Sequence, residues 1–424
     1  MSGSPSVSTP PRVVAPPPLH RLRRELFATP LDGLISLALL AGLAAAATAF
    51  LHWATSQARW AVIQANSNLF VIGRYPVAEQ WRLWLLVTLL AAATGLSWGL
   101  LRAWPRADRR GSSSWPQNDT IAAALLAAIS LYLPLALHAQ PGIMVRWWLI
   151  TALLLLLRAA AGRWGHLVPR QARPLLALIW PVLYLIGMVL ISGGLGLVQV
   201  AAAEWGGLLL TLVEASFAIL LCFPLGVLLA LGRRSELPLL RWGSVLYIEF
   251  IRGAPLITLL FLGQNILGFL LPGGLAPDRV WRAAWVLTFF AAAYVAEAVR
   301  SGLAAMPPGQ LEAARSLGLS LPQALIHVVL PQALRVALPA TVGQFITLLQ
   351  DTTLLSLIGL LDLLGVARTV MANPAFLGRN AEVYLVLALL FWCCCAALGL
   401  GSRALEHRLN PNTSTSPNTS ALQA

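Results

Sequence analysis

Long apolar runs separated by short, arginine-containing loops constrain this chain more than any other feature. Of its 424 residues, 58% are hydrophobic and only 11% are charged. A soluble domain of this composition would expose large apolar patches, whereas a run of about 18 or more apolar residues is long enough to cross a bilayer as a helix. The sequence therefore predicts an all-α polytopic membrane protein.

We predict about ten transmembrane helices, with eight or nine as the alternative. They are placed near residues 33–53, 83–101, 120–137, 141–157, 175–192, 206–231, 254–271, 283–299, 338–361 and 381–401. The fourth is the weakest, because its charge-free part is short and is bracketed by Arg146 and Arg158. Both arginines could snorkel to the interfaces. If this segment did not cross, the orientation of every later span would reverse.

The arginines predict how the spans are oriented. Every one of the 29 basic residues is an arginine, and most lie in one set of alternate loops, which the positive-inside rule places in the cytoplasm. We therefore expect a multi-pass protein of the bacterial cytoplasmic membrane with both termini inside. Residues 1–30 and 406–424, rich in Pro, Ser, Thr and Asn, are expected to be disordered. Because the net charge of +13 is explained by topology, no nucleic-acid partner is expected.

The absence of lysine excludes two kinds of chemistry. A Walker A phosphate loop needs its lysine, and a Schiff-base enzyme needs a nucleophilic amine. The cysteines lie inside apolar spans, and Cys393, Cys394 and Cys395 point about 100° apart on a helix, so they cannot converge on one metal ion. We expect no catalytic residue, no metal site and no cofactor on this chain.

A polar loop at residues 305–335 differs from the apolar chain around it. Residues 310–317 are mostly good helix formers, and Gly318 is placed to end that helix. A capping box that begins at Ser320 indicates a second short helix, which Pro331 would end or bend. Two short helices around a glycine form a rigid projection that fits a groove on a soluble partner. The alternative is an amphipathic connector lying in the lipid headgroups.

The same loop resembles the EAA motif of permease subunits in bacterial ABC importers. The motif positions are Glu312, Ala313, Ala314, Gly318, Leu330 and Pro331, with Val328 where isoleucine is usual. Further stretches similar to the polar amino-acid uptake permeases are 206–212, 224–233, 247–256, 293–297, 330–335 and 350–356. The resemblance covers residues 206–405. The extra spans of 31–205 are similar to those of the longer permease subunits of general L-amino-acid importers.

The resemblance implies a MetI-like permease core at residues 206–405 that translocates L-amino acids. Its loop would dock on a separate ATPase, present in two copies, which binds the ATP and Mg²⁺. A second permease subunit, either a paralogue or another copy of this chain, and a periplasmic amino-acid-binding protein would complete the assembly. Two positions depart from the family pattern: Gln350, where lysine is common, and Glu214, a charge within the first core span.

Ionisable residues in the core spans need partners, because a charge at the bilayer centre costs roughly 2.5–3.5 kcal/mol even on a lenient scale. The i,i+3 spacing predicts structural ion pairs between Glu249 and Arg252 and between Glu297 and Arg300. A polar cluster within the span predicted at 338–361 is a candidate translocation path or gate. Its residues are Asp351, Gln350 and Thr352, with Gln344 and Thr211 as weaker candidates.

An ion-driven secondary amino-acid carrier is the alternative function. Such carriers commonly contain internal repeats and broken helices at the membrane midplane, and neither is evident in the sequence. A membrane enzyme has less support, because the histidines are scattered and no nucleophile stands next to a base.

Overall fold

The computed structural model describes residues 26–27, 29–107, 117–136, 140–169, 172–270 and 277–409. Within these residues the chain is helical, as predicted, and β-structure is limited to isolated bridges. The α-helices are α1 Pro30–His52, α2 Ala61–Ile72, α3 Gln80–Ala107, α4 Gln117–Ala136, α5 Pro141–Trp164, α6 Arg173–Ser192, α7 Gly207–Arg233, α8 Pro238–Gly253, α9 Leu256–Leu270, α10 Arg279–Ala304, α11 Gly309–Ser316, α12 Leu321–Ala324, α13 Leu330–Asp351, α14 Leu363–Met371 and α15 Asn380–Leu409. The segments predicted to be disordered, 1–30 and 406–424, lie mostly outside the described residues, although α15 continues to Leu409.

The chain divides into two compact units after Trp60. In the first, α1 starts at a capping box in which the Asp32 N–H donates to Thr29 Oγ1 and the Thr29 N–H donates to Asp32 Oδ2, at 3.1 and 3.2 Å. This box satisfies N–H groups that the first helical turn leaves without partners. The helix is followed by a π-helical turn, Trp53–Gln57.

Eight helical segments in the described residues are long and apolar enough to cross a membrane. They include Pro141–Leu167, so the span predicted with least support, 141–157, is confirmed as a full-length candidate. The predicted third span, 120–137, corresponds to α4, whose described apolar part, Thr120–Tyr132, is shorter than a span.

The predicted seventh span, 254–271, is one arm of a broken element. Helices α8 and α9 meet at a bend of 106° and together would make a ninth span. The bend follows from Pro255, which disfavours helical geometry at the preceding residue, and Ala254 is extended, with φ −96° and ψ 136°. Within the described residues the structure therefore contains eight or nine candidate spans, which is the predicted alternative number.

Small residues let helices α3 and α5 pack at close range. A Cβ added to Gly95 would lie 2.4 Å from the Leu154 carbonyl oxygen, and one added to Gly99 would lie 2.6 Å from the Ala161 Cβ. With Ala91 and Ala103 these glycines recur every fourth residue along α3, so they occupy one helix face. Small residues at such spacing are typical of helix contacts in membranes, where close backbone approach replaces the hydrophobic driving force.

The main apolar core lies downstream, where α10 packs against both α7 and α13. Gly226 of α7 lies directly against Val295, and Gly302 of α10 lies against the Ala333 carbonyl oxygen, so neither position has room for a larger side chain. A smaller apolar cluster joins α2, α14 and α15. Helix α2, upstream of the division predicted at residue 205, thus packs against the downstream helices. That domain division stays a prediction.

Candidate functional site

The 305–335 loop begins with a short helix that ends at a left-handed glycine. Helix α11 spans Gly309–Ser316, and Gly318 follows it with φ +83°. Only glycine adopts this conformation without steric cost, which explains its place at the helix end. The expected capping box is also present, since the Ser320 N–H donates to Gln323 Oε1 at 3.0 Å.

The sequence analysis predicted a separate short helix as the second helix of the loop, and the structure differs. Helix α12 continues through a π-helical turn, Leu325–Val329, into α13, so that Leu321–Ile358 is one helical run of 38 residues. Pro331 neither ends the helix nor breaks it. It stands in the first turn after the π turn, in which the Leu330 N–H donates to the Leu325 carbonyl oxygen, and a proline is tolerated in a first helical turn because its missing N–H is not needed there.

The motif residues divide into a packed set and an exposed set. Ala314 is buried, at 3% exposure, and Leu330 packs against the main core. Glu312, Ala313, Gly318 and Pro331 are exposed, and the Leu317 side chain is 84% exposed. The core therefore packs against one side of the loop, and the other side exposes a carboxylate and apolar side-chain atoms on the surface of the chain.

A cavity of about 220 Å³ lies between α9, α10 and α13. It brings together two of the predicted translocation residues, Gln344 and Asp351. Asp351 is not in the middle of a straight helix, because α13 ends at this residue and a 3₁₀ segment, Thr352–Ile358, follows. The remaining lining residues are Leu256, Phe290, Ala291, Tyr294, Thr347 and Leu348.

The structure does not place the other three translocation candidates in this cavity. The Thr352 hydroxyl is buried and donates to the Leu349 carbonyl oxygen at 2.7 Å. The Thr211 hydroxyl is buried beside α14, where it accepts from the Leu363 N–H at 3.1 Å. Gln350 is exposed on another face of α13, with its amide nitrogen 3.8 Å from the Cys395 sulfur.

A network of charged side chains ties α7, α8 and α10 together. Arg300 donates to Glu297 Oε1 at 2.5 and 2.8 Å, as the i,i+3 spacing predicts. The predicted pair of Glu249 with Arg252 is wrong. Glu249 instead accepts from Arg233 of α7 at 2.9 Å. Arg252 lies 3.7 Å from Glu297 Oε2, as does Arg233.

The wrong prediction of the Glu249–Arg252 pair has a simple physical reason. Spacing within one helix cannot show a cation that a neighbouring helix supplies, and α7 delivers Arg233 between the two glutamates. Glu297 therefore has three arginines within 4 Å.

Sequence reasoning also missed Tyr294 as a link between the network and the cavity. The Arg252 guanidinium lies 5.7 Å from the centre of the Tyr294 ring, a cation–π distance, and the same ring lines the cavity. A tyrosine one turn before Glu297 on the same helix face was the available signal. The geometry thus places a charged cluster next to a cavity that contains one carboxylate and one amide.

Comparison with known proteins identifies the family. The family model "Binding-protein-dependent transport system inner membrane component" matches residues 222–411. The inner membrane amino-acid ABC transporter permease protein YhdY of Escherichia coli (strain K12) is 41% identical over 267 residues, which are 62% of this chain and 72% of that protein. The glutamate/glutamine/aspartate/asparagine transport system permease protein BztC of Rhodobacter capsulatus is 38% identical over 356 residues, 82% of this chain and 78% of that protein.

Among solved structures, the crystal structure of an amino acid ABC transporter with histidines matches 47% of this chain and 90% of its own chain. Its sequence identity is 31% and its TM-score is 0.42. The family assignment rests on the sequence relatives, which match most of both chains at 38% and 41% identity. This chain belongs to the family of binding-protein-dependent transport system inner membrane components, the permease subunits of ABC importers.

Proposed function

We propose that this chain is the permease subunit of an ATP-driven importer of L-amino acids in the bacterial inner membrane. The observation that carries the proposal is its similarity, over 82% of its length, to a relative named as a glutamate, glutamine, aspartate and asparagine permease. That match is too long to be confined to the downstream core, so it also supports the resemblance of the upstream spans to those of the longer amino-acid permeases.

The loop of residues 305–335 is the docking element for the ATPase. Glu312, Ala313 and Gly318 present an exposed surface, while Ala314 and Leu330 are held by packing. Because the base of the loop is the start of the helical run Leu321–Ile358, a push on the loop is transmitted along that run to Asp351 at the cavity. ATP and Mg²⁺ would be bound by the ATPase, since this chain has no lysine for a Walker A loop.

The complete importer would contain two ATPase subunits, a second permease subunit and a periplasmic amino-acid-binding protein. Docking on a cytoplasmic ATPase requires the loop to face the cytoplasm, and the arginine-rich loops are predicted on the same side, together with both termini. This chain would contribute no catalytic group to ATP hydrolysis.

The cavity beside Asp351 is a stopping point on the translocation path. A zwitterionic amino acid needs an acceptor for its ammonium group and a donor for its carboxylate. The Asp351 carboxylate and the Gln344 amide supply one of each in the same cavity. The apolar remainder of the lining, including Leu256, Phe290 and Leu348, would face the substrate side chain.

Reconstitution in liposomes tests the function. The chain, its second permease subunit and the ATPase are inserted together, and labelled amino acid is supplied outside with the binding protein. We expect uptake that needs ATP inside and stops when the ATPase is omitted. Uptake by this chain alone, driven by an ion gradient, would favour the secondary carrier and overturn the proposal.

Asp351→Asn is expected to reduce uptake by about tenfold or more, since the loss of a charge-assisted contact of about 1.4 kcal/mol corresponds to one factor of ten. The matched control is Gln350→Asn, the preceding residue, which lies outside the cavity. Uptake is measured against substrate concentration, with ATPase co-purification as the assembly check. Equal losses in the two variants would remove Asp351 from the path.

A further inference from the structure

Glu214 carries a buried carboxyl group that has no role in the transport function proposed above. Glu214 lies on α7 and is fully buried, with 0% of its surface exposed. Neither of its carboxyl oxygens has a hydrogen-bond partner in the described part of the chain. An ionised carboxylate without partners in an apolar interior is so costly that such a group takes up a proton or a cation.

A second buried carboxyl group stands beside it. Asp362, also 0% exposed, is the N-cap of α14, where its Oδ2 accepts from the Leu364 N–H and its Oδ1 from the Gly365 N–H, both at 3.0 Å. The Thr211 hydroxyl holds this N-terminus against α7 by accepting from the Leu363 N–H at 3.1 Å. Because Glu214 is one helical turn beyond Thr211 on the same face, it points to the side where Asp362 lies. The two acids interact electrostatically.

The other charged and titratable groups of the packed helices do not neutralise Glu214. Tyr184 of α6 is the further ionisable group close enough to interact with it. Arg279 and Arg282 of α10 donate to backbone carbonyl groups at Ile358, Pro277 and Gln264. Helix α2 carries no ionisable side chain, and Arg368 of α14 acts on Asp362. The charged residues of α8, α13 and α15 whose side chains are described are Arg241, Glu249, Arg252, Arg335, Asp351, Glu382, Arg403 and Glu406, and none of them is hydrogen-bonded to Glu214.

We propose that Glu214 and Asp362 form a buried proton-binding site, in which the pair holds one proton from solvent at neutral pH. A proton fits better than a metal ion, because within the described residues no group of three or more His, Cys, Asp or Glu side chains converges. The bound proton lets the two acids share one negative charge across the contact between α7 and α14. Like-charged carboxyl groups in one buried site cannot both ionise cheaply.

The electrostatics of Asp362, which lies between two spans, agree with this arrangement. Burial raises the pKa of Asp362 to about 7, although the N–H groups of Leu364 and Gly365 and the charge of Arg368 act in the opposite direction. Since the carboxyl groups interact, the proton belongs to the pair rather than to one residue.

Infrared spectroscopy of the purified full chain tests the proposal by detecting the bound proton directly. Protein labelled with ¹³C at the glutamate carboxyls, or separately at the aspartate carboxyls, is compared with unlabelled protein at neutral pH. We expect a protonated-carboxyl band that shifts on labelling and disappears as the pH is raised. The part of the band that shifts on glutamate labelling should be lost in Glu214→Gln and kept in Glu236→Gln, a control at an exposed carboxyl in the turn before α8. A wild-type spectrum with no such band at neutral pH would overturn the proposal.

Thermal stability against pH gives an independent readout. An aspartate in the unfolded chain has a pKa of about 3.9, whereas the pKa of Asp362 in the fold is raised to about 7. The folded chain therefore binds more protons between these values, and the stability that the proton adds below about pH 4 is lost as the pH rises through 7. We expect the Tm of the wild type to fall over that range more steeply than the Tm of Asp362→Asn, which keeps the helix cap. Parallel curves for the two proteins would contradict the site.

Discussion

Gly318→Leu is expected to abolish ATP-driven uptake while the chain remains folded in the membrane. Gly318 has φ +83°, and no heavy atom lies within 4 Å of the place where a Cβ would be added. A leucine there costs about 1–2 kcal/mol of backbone strain, but its Cβ meets no neighbour in the described residues. Its side chain would project from the exposed side of the loop, where we propose that the ATPase docks. The measurements are uptake in reconstituted vesicles and co-purification of the ATPase.

The chain contains a matched control for this substitution. Gly378, in the loop before α15, has φ +81° and equally open surroundings, so Gly378→Leu introduces the same strain away from the docking surface. We expect it to keep both uptake and the bound ATPase. Glu312→Lys, which reverses an exposed charge without backbone strain, should behave like Gly318→Leu. If Gly318→Leu retained the ATPase, or if Gly378→Leu lost it too, the loop would not be the docking element.

The loop was the most predictable part of the site because its signals are local. A capping box and a glycine C-cap each depend on the backbone within a few residues, so Ser320 and Gly318 could be assigned from the sequence. The continuation of α12 into α13 could not be assigned in this way, because it depends on the π-helical turn Leu325–Val329, which is followed by Pro331 in the first turn of α13. Such turns have no reliable local signature.

The polar sites were predictable only in part, because their partners come from other helices. Glu297 and Arg300 are one turn apart, and their pairing follows from spacing. The partner of Glu249 is Arg233 on a different helix, which spacing cannot show. Likewise, the sequence marked Gln344 and Asp351 as candidates, but the end of α13 at Asp351 and the cavity that joins the two follow from how α9 and α10 pack.

The bend at Pro255 had a usable sequence signal that the hydropathy pattern obscured. Glu249 and Arg252 interrupt the apolar run just before Ala254, so the predicted span began at residue 254 and left out α8. Pro255 disfavours helical geometry at Ala254, which marks the boundary between two helices. Hydropathy measures whether a segment can lie in lipid, and it does not show that α8 and α9 form one bent element.

Glu297→Gln is expected to destabilise the folded chain by about 1–3 kcal/mol, because it leaves the half-buried charges of Arg252 and Arg300 without their counter-ion. Glu297 is 26% exposed and faces Arg233, Arg252 and Arg300, which belong to three different helices. Glu249→Gln is the control within the same network. Its side chain is 55% exposed and contacts Arg233, so a loss of less than about 1 kcal/mol is expected. Unfolding of the detergent-purified protein gives both values, and equal losses would show that Glu297 does not join the three helices.

A double-mutant cycle separates an uncompensated charge from lost packing as the cause of the loss, because it isolates the interaction between two residues. If adding Arg300→Gln to Glu297→Gln partly restores the stability, the guanidinium without a counter-ion is the cause.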